Sequence, residues 1–173
     1  GAGVDTAFGP LTAGALRVLT WNLWWRFGPW ERRLPAVLET LARLEPDIAC
    51  LQEVWTDGDD SSAARVAARL GGFHHVVASR LDLDGVGFGN AVVSRWPIAG
   101  HEVLALPAPP GSDELRTCLR ADVETPAGPV QVFCTHLNWR FDESHVRQEQ
   151  VRAIARFVAD SPPRSFPPVL CGD

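Results

Sequence analysis

Four strand-like runs of this sequence each end on a polar residue with chemistry to offer. They are Asn22 after Leu16–Trp21, Glu53 after Ile48–Gln52, His136 after Val130–Thr135, and Asp173 after Val169–Gly172. In a sheet whose strands share a direction, such ends gather along one edge, where open α/β sheets build their ligand sites. Together they supply two carboxylates, one amide and one imidazole. Hard oxygen donors of this kind suit Mg²⁺ or Mn²⁺, which keep several waters and bind through one or two carboxylates plus a substrate phosphate. Such an ion neutralises phosphoryl charge while a carboxylate or histidine handles the proton. Taken singly, each residue has a plainer reading. Asn and Asp also form turns and caps, and a lone histidine is more often a satisfied buried imidazole.

The elements that must position these residues follow from hydropathy patterning. Leu34, Val37, Leu38, Leu41 and Leu44 recur at helical spacing, and Pro35, tolerable only in a first turn, predicts a start near Arg33. Asp60-Ser61 is a cap for a helix through Val66 and Leu70, closed by Gly71-Gly72. Residues 73–78, 91–94, 98–106, 115–124 and 130–135 are predicted strands, the last two joined by a hairpin at Thr125–Pro129. Residues 144–159 form an amphipathic helix with Val151, Ile154, Ala155 and Val158 inward, and a final strand begins at Val169. Strands interrupted by helices, with hairpins beside crossovers, predict an α/β fold with a mixed β-sheet and flanking helices on one face. Residues 1–15, rich in Gly, Ala and Thr, are expected to be a disordered leader before a domain over 16–173.

The 173 residues, 46% hydrophobic and 21% charged, are an ordinary globular composition, and no apolar run is long enough for a transmembrane segment. All sixteen basic residues are arginine, and the net charge of −5 gives no general basic field to attract phosphate backbones. Cys50, Cys118, Cys134 and Cys171 lie in apolar runs without CxxC spacing, which favours reduced, buried thiols over a zinc site or a disulfide framework. That usage favours a cytoplasmic location. The chain has no Met and starts Gly1-Ala2-Gly3, so a trimmed export signal stays open.

The words around the four residues carry a more specific signal. Thr20-Trp21-Asn22-Leu23-Trp24, Pro46-Asp47-Ile48-Ala49-Cys50-Leu51-Gln52-Glu53-Val54, Gly89-Asn90-Ala91-Val92-Val93-Ser94-Arg95-Trp96-Pro97-Ile98, Thr135-His136-Leu137 and Leu170-Cys171-Gly172-Asp173 occur in this order. Together they resemble the endonuclease/exonuclease/phosphatase superfamily, from about Leu16 to Asp173. The resemblance implies a metal-dependent phosphoesterase, with the chain forming the first part of a four-layer α/β/β/α sandwich. It implies Glu53 as principal Mg²⁺ (or Mn²⁺) ligand, with Asn22 beside it placing metal and phosphate. His136 would contact the scissile phosphate or assist proton transfer, and Asp173 would orient or deprotonate the attacking water. Asn90 matches a position near the cleft and is a candidate substrate-binding residue. Arg147 and Gln150 match a recurrent Arg-x-x-Gln for which a structural role is favoured.

Relatives continue beyond this aspartate, to an Asn two residues on and later to a carboxylate–His pair. The missing C-terminal part of the domain is thus an expected partner of this segment. An apolar sheet face is expected to lie open without it, and the 173 residues alone are expected to lack hydrolase activity. The favoured substrate is a nucleic-acid or nucleotide phosphodiester, cleaved by in-line attack of water. A phospholipid or inositol phosphate hydrolase and a non-catalytic binding scaffold are the alternatives. Trp24, Trp25, Phe27, Trp30, Trp55 and Trp139 follow the candidate residues closely and would stack bases or meet lipid, although core packing is their plainer role.

Overall fold

The computed structural model describes residues 15–162 and 166–173; the expected leader lies outside the described residues, apart from Ala15. The element order is β1 (Val18–Asn22), α1 (Trp30–Leu44), β2 (Ile48–Asp57), β3 (Asp60–Ser61), α2 (Ser62–Arg69), β4 (His74–Leu83), β5 (Val86–Ser94), β6 (Ile98–Ala105), β7 (Thr117–Thr125), β8 (Gly128–Thr135), α3 (Ser144–Asp160) and β9 (Val169–Gly172). The strands form two mixed sheets, one ordered β1-β2-β5-β4 with β3 on β2, the other β6-β7-β8-β9. In each sheet one pair is parallel, β1 with β2 and β8 with β9.

Side-chain alternation builds the layers. In β2, Ile48 and Cys50 face the second sheet, meeting Leu119, Ala121, Val132 and Cys134. Ala49 and Leu51 face the other way, against Val37 and Leu41 of α1 and Val66 and Ala67 of α2. On the far side, α3 lays Ala153 and Ile154 onto Phe133 and Cys118. The α/β class is as expected, but the helices do not share one face: α1 and α2 cover the first sheet and α3 the second. The inner faces of the two sheets cover each other through Ile48, Cys50 and Val92 on one side and Leu119, Ala121 and Val132 on the other. Apolar strand surface does remain open at Val103 of β6 and Leu170 of β9.

Three local differences from the sequence-based expectations have clear causes. Helix α1 starts at Trp30, three residues early, so Pro35 sits inside it. The carbonyl that Pro35 leaves without a donor belongs to exposed Glu31, where water can serve it. Strands β4 and β5 are longer than expected and form a hairpin over Asp84-Gly85, both at positive φ (54° and 80°). Gly87 and Gly89 argue against a strand by propensity, yet β5 needs them: a Cβ on Gly89 would stand 1.7 Å from the Ala78 carbonyl oxygen. Third, β2 runs on past Glu53 to Asp57. The helix cap is as expected, with Ser61 Oγ accepting from the Ala64 amide at 2.8 Å. All four cysteines are free, and three are buried.

Candidate active site

Alternation carries three of the four residues to the same place. Val18 of β1 faces the second sheet, and so do Val132 and Cys134 of β8 and Val169 and Cys171 of β9. Two-residue steps from these positions reach Asn22, His136 and Asp173, all at the ends of their strands. Gly172 permits the last approach: a Cβ there would lie 2.7 Å from the Thr135 carbonyl oxygen. Its backbone closeness lets Leu137 N–H donate to the Asp173 carbonyl at 3.1 Å.

Glu53 arrives differently. By alternation it would follow Ala49 and Leu51 to the helix side. Register is broken between Leu51, paired with Ala91, and Val54, paired with Gly89, so Gln52 and Glu53 together oppose Asn90. Val54 then takes the helix-side place. This β-bulge puts Glu53 at φ 51°, a left-handed conformation that costs a non-glycine residue about 1–3 kcal/mol. Its carboxylate meets the other sheet's residues, and potential ligand atoms of Glu53, His136 and Asp173 all lie within 4.8 Å of one another.

Asn22 joins this group, donating from Nδ2 to Asp173 Oδ2 at 2.8 Å while its Oδ1 accepts from the Trp24 amide at 2.9 Å. Asn90 lies on β5 opposite the Glu53 bulge. It is buried, and its Nδ2 donates to the Thr117 carbonyl (3.1 Å) and Oγ1 (3.2 Å), tying β5 to β7. Gln150 is fully buried and holds Asn138 and the Pro107 carbonyl, while Arg147 donates to the carbonyls of Asn138 and Arg140. Both brace the loop after β8, which fits a structural role.

Arg116 is the residue that sequence reasoning missed. It precedes β7, is only 8% exposed, and donates from Nη1 to His136 Nδ1 at 2.7 Å. Its Nε has no hydrogen-bond partner, and its guanidinium lies 5.8 Å from the Phe88 ring. Because a guanidinium only donates, His136 Nδ1 accepts, so the neutral ring carries its proton on Nε2. That nitrogen lies 3.8 Å from Asp173 Oδ2. In that tautomer the ring has no lone pair free for a cation, and the oxygens that could hold one are the carboxylates of Glu53 and Asp173 and the Asn22 Oδ1. Burial and then the Arg116 charge hold the imidazole down at about 4, against the pull of Asp173.

Burial pushes the Glu53 carboxyl above the usual glutamate range. The Asn22 amide and the Arg116 and Arg33 charges oppose that push, and the Asp173 carboxylate reinforces it. Two carboxylates crowded in a partly buried place are what a hard divalent cation relieves, so the donor set fits Mg²⁺ or Mn²⁺. Among the described residues, the exposed large aromatics are Trp24, Phe27 and Trp139, all in the loops following β1 and β8. Trp55 is buried, and Trp25 donates from Nε1 to the Gly87 carbonyl at 2.9 Å.

The same architecture occurs in solved structures. An endonuclease/exonuclease/phosphatase from Beutenbergia cavernae DSM 12333 superposes with a TM-score of 0.69 at 26% identity, over 85% of this chain and 44% of that one. A D. rerio TDP2 humanized by 14 mutations gives 0.73 at 19% identity, over 91% and 65%. The human Nocturnin catalytic domain with bound sulfate gives 0.72 at 21% identity, over 91% and 63%. The chain thus spans from under half to about two thirds of the length of these proteins. No match is found among the curated proteins. The sequence model of the Endonuclease/Exonuclease/phosphatase family matches residues 19–173. Strand order, site composition and that match agree: the chain belongs to the endonuclease/exonuclease/phosphatase family.

Proposed function

We propose that this chain supplies the first part of the active site of a metal-dependent phosphoesterase that hydrolyses a phosphodiester by in-line attack of water. The observation that carries the reading is the convergence of Glu53, His136 and Asp173 beside a buried arginine with an unpartnered Nε. Bound Mg²⁺ or Mn²⁺ would supply charge neutralisation and polarise the phosphoryl group. Glu53 is its principal ligand, with Asn22 Oδ1, which keeps a second lone pair, beside it. Asp173 Oδ2 is held by Asn22, which orients the carboxylate to align a water and take its proton. His136 Nε2–H donates to a phosphate oxygen, and Arg116 adds a fixed positive charge to the phosphoryl oxygens as negative charge builds in the transition state.

A nucleic-acid or nucleotide substrate is favoured. The exposed rings of Trp24, Phe27 and Trp139 offer faces for stacking a base, and one relative, D. rerio TDP2, is described in complex with a single-strand DNA product. The test is a panel assay on the full-length protein: DNA, abasic DNA, RNA, sphingomyelin and inositol phosphates, each with Mg²⁺, Mn²⁺ or EDTA. Turnover of a nucleic acid that EDTA abolishes and Glu53→Ala removes supports the reading. Turnover unaffected by EDTA, or intact in Glu53→Ala, overturns it.

A further inference from the structure

The loop between β1 and α1 holds two consecutive non-glycine residues in the left-handed region, Trp24 (φ 61°) and Trp25 (φ 43°). Such conformations persist only where surrounding contacts over-determine them. Here one side chain does most of that. Arg33 donates from Nη1 to the Phe27 carbonyl (2.9 Å) and from Nη2 to those of Trp25 (3.0 Å) and Trp24 (3.2 Å). Its guanidinium also lies 4.9 Å from the centre of the Trp24 ring. A cation in the first turns of a helix opposes the helix dipole, so α1 itself gains nothing from Arg33.

What the loop grips is the bulge. Trp25 N–H donates to the Glu53 carbonyl at 2.9 Å, and Leu23 N–H to that of Gln52 at 2.9 Å. The left-handed Glu53 is therefore hydrogen-bonded to a loop that is itself left-handed at that point. Trp25 Nε1 ties the same loop to Gly87 of β5, the strand that pairs with the bulge.

We infer that Arg33 is a positioning residue for Glu53: through the backbone of residues 24–27 it holds the bulge in the conformation that turns the Glu53 carboxylate toward Asp173. This rests on the proposed role of Glu53 as metal ligand. The Arg33 hydrogen bonds go to backbone carbonyls of the loop and not to the Glu53 carboxylate. A guanidinium is required, because the two separated nitrogens of its fork reach the Phe27 carbonyl on one side and the Trp24 and Trp25 carbonyls on the other, which the single nitrogen of an ammonium group does not span.

The test is Mn²⁺ binding to the full-length protein by isothermal titration calorimetry, with far-UV circular dichroism and thermal unfolding as controls. Arg33→Ala is expected to raise the Mn²⁺ Kd by about 10- to 100-fold, the usual range for outer-shell partners of a ligand, with helix content unchanged. Arg33→Lys keeps a positive charge near Glu53 and loses the fork, so it is expected to weaken binding comparably. It also serves as the reading if Arg33→Ala fails to fold. Parental affinity in either folded variant overturns the inference. Glu53→Ala separates the two levels: if it too binds Mn²⁺ like the parent, the metal reading itself has failed.

Discussion

Arg116 and His136 are joined by a 2.7 Å hydrogen bond in which the guanidinium donates to Nδ1. The contact decides the tautomer of the imidazole, because arginine has no acceptor to offer. It turns Nε2 into a donor facing the space between Glu53 and Asp173, suited to a phosphate oxygen.

Replacing Arg116 by methionine keeps bulk and removes both the tautomer lock and the buried charge. The expected result in the full-length enzyme is a fall in kcat of about 10²- to 10³-fold, the loss typical of one preorganised donor. The ¹⁵N chemical shifts of His136 should move from the Nε2–H tautomer toward a mixture, which checks the structural half independently of turnover.

Glu53 lies under tension between stability and function. Its carboxyl is pushed up by burial, so at neutral pH its charge destabilises the metal-free fold. Glu53→Gln is expected to raise the melting temperature without metal, and to abolish the rise expected of the parent on adding Mn²⁺. Differential scanning calorimetry with and without Mn²⁺ checks both signs.

His136 gives the metal-free protein an acid-side weakness. Its imidazole titrates at about 4 when folded, whereas an unfolded chain takes up the proton near 6.5. Between those values the unfolded state binds more protons. Stability is therefore undiminished above about 6.5 and falls as pH drops toward 4. Urea unfolding across this window should show a shallower decline in His136→Asn, which keeps an acceptor for Arg116 and loses the titration.

Gly172→Ala tests how Asp173 is delivered. The added Cβ would meet the Thr135 carbonyl oxygen at 2.7 Å, and two paired backbones cannot both give way. A loss of about 1–3 kcal/mol in unfolding free energy is expected, as for other overpacking changes. Weakened Mn²⁺ binding should accompany it, since Asp173 moves with its strand.

Among the rim aromatics, Trp139 separates substrate binding from chemistry. Trp24→Ala and Trp139→Ala remove exposed rings without emptying the core. Trp139→Ala should raise KM for an oligonucleotide by about tenfold and leave kcat near the parent, in line with about 1–3 kcal/mol per stacked base. Trp24→Ala should raise KM and also lower kcat, because its ring packs on Arg33. Unchanged KM on nucleic acid with weakened binding to sphingomyelin vesicles would point to the lipid alternative instead.

Much of this was legible in the chain. The Ser61 cap and the hairpin after Thr125 follow from local chemistry, whereas nothing local shows that β7 and β8 are covered on both faces. The early start of α1 and the hairpin at Asp84-Gly85 were not legible. Pro35 and the glycines of β5 argue against those elements locally, and only close contact with neighbouring strands or solvent at Glu31 makes them acceptable. Arg116 left almost no trace, since nothing in its own segment shows that His136, twenty residues later, folds against it.

The sequence alone determined that Asn22, His136 and Asp173 end their strands on the face turned toward the opposite sheet, because side chains alternate with period two. The bringing of Glu53 to them was decided only in three dimensions. Its natural alternation leads to the helix side, and a bulge against Asn90, gripped by the β1–α1 loop, reverses it. A bulge is a matter of pairing between strands, settled by hydrogen bonds that reach across the fold, so no run of residues in β2 specifies it by itself.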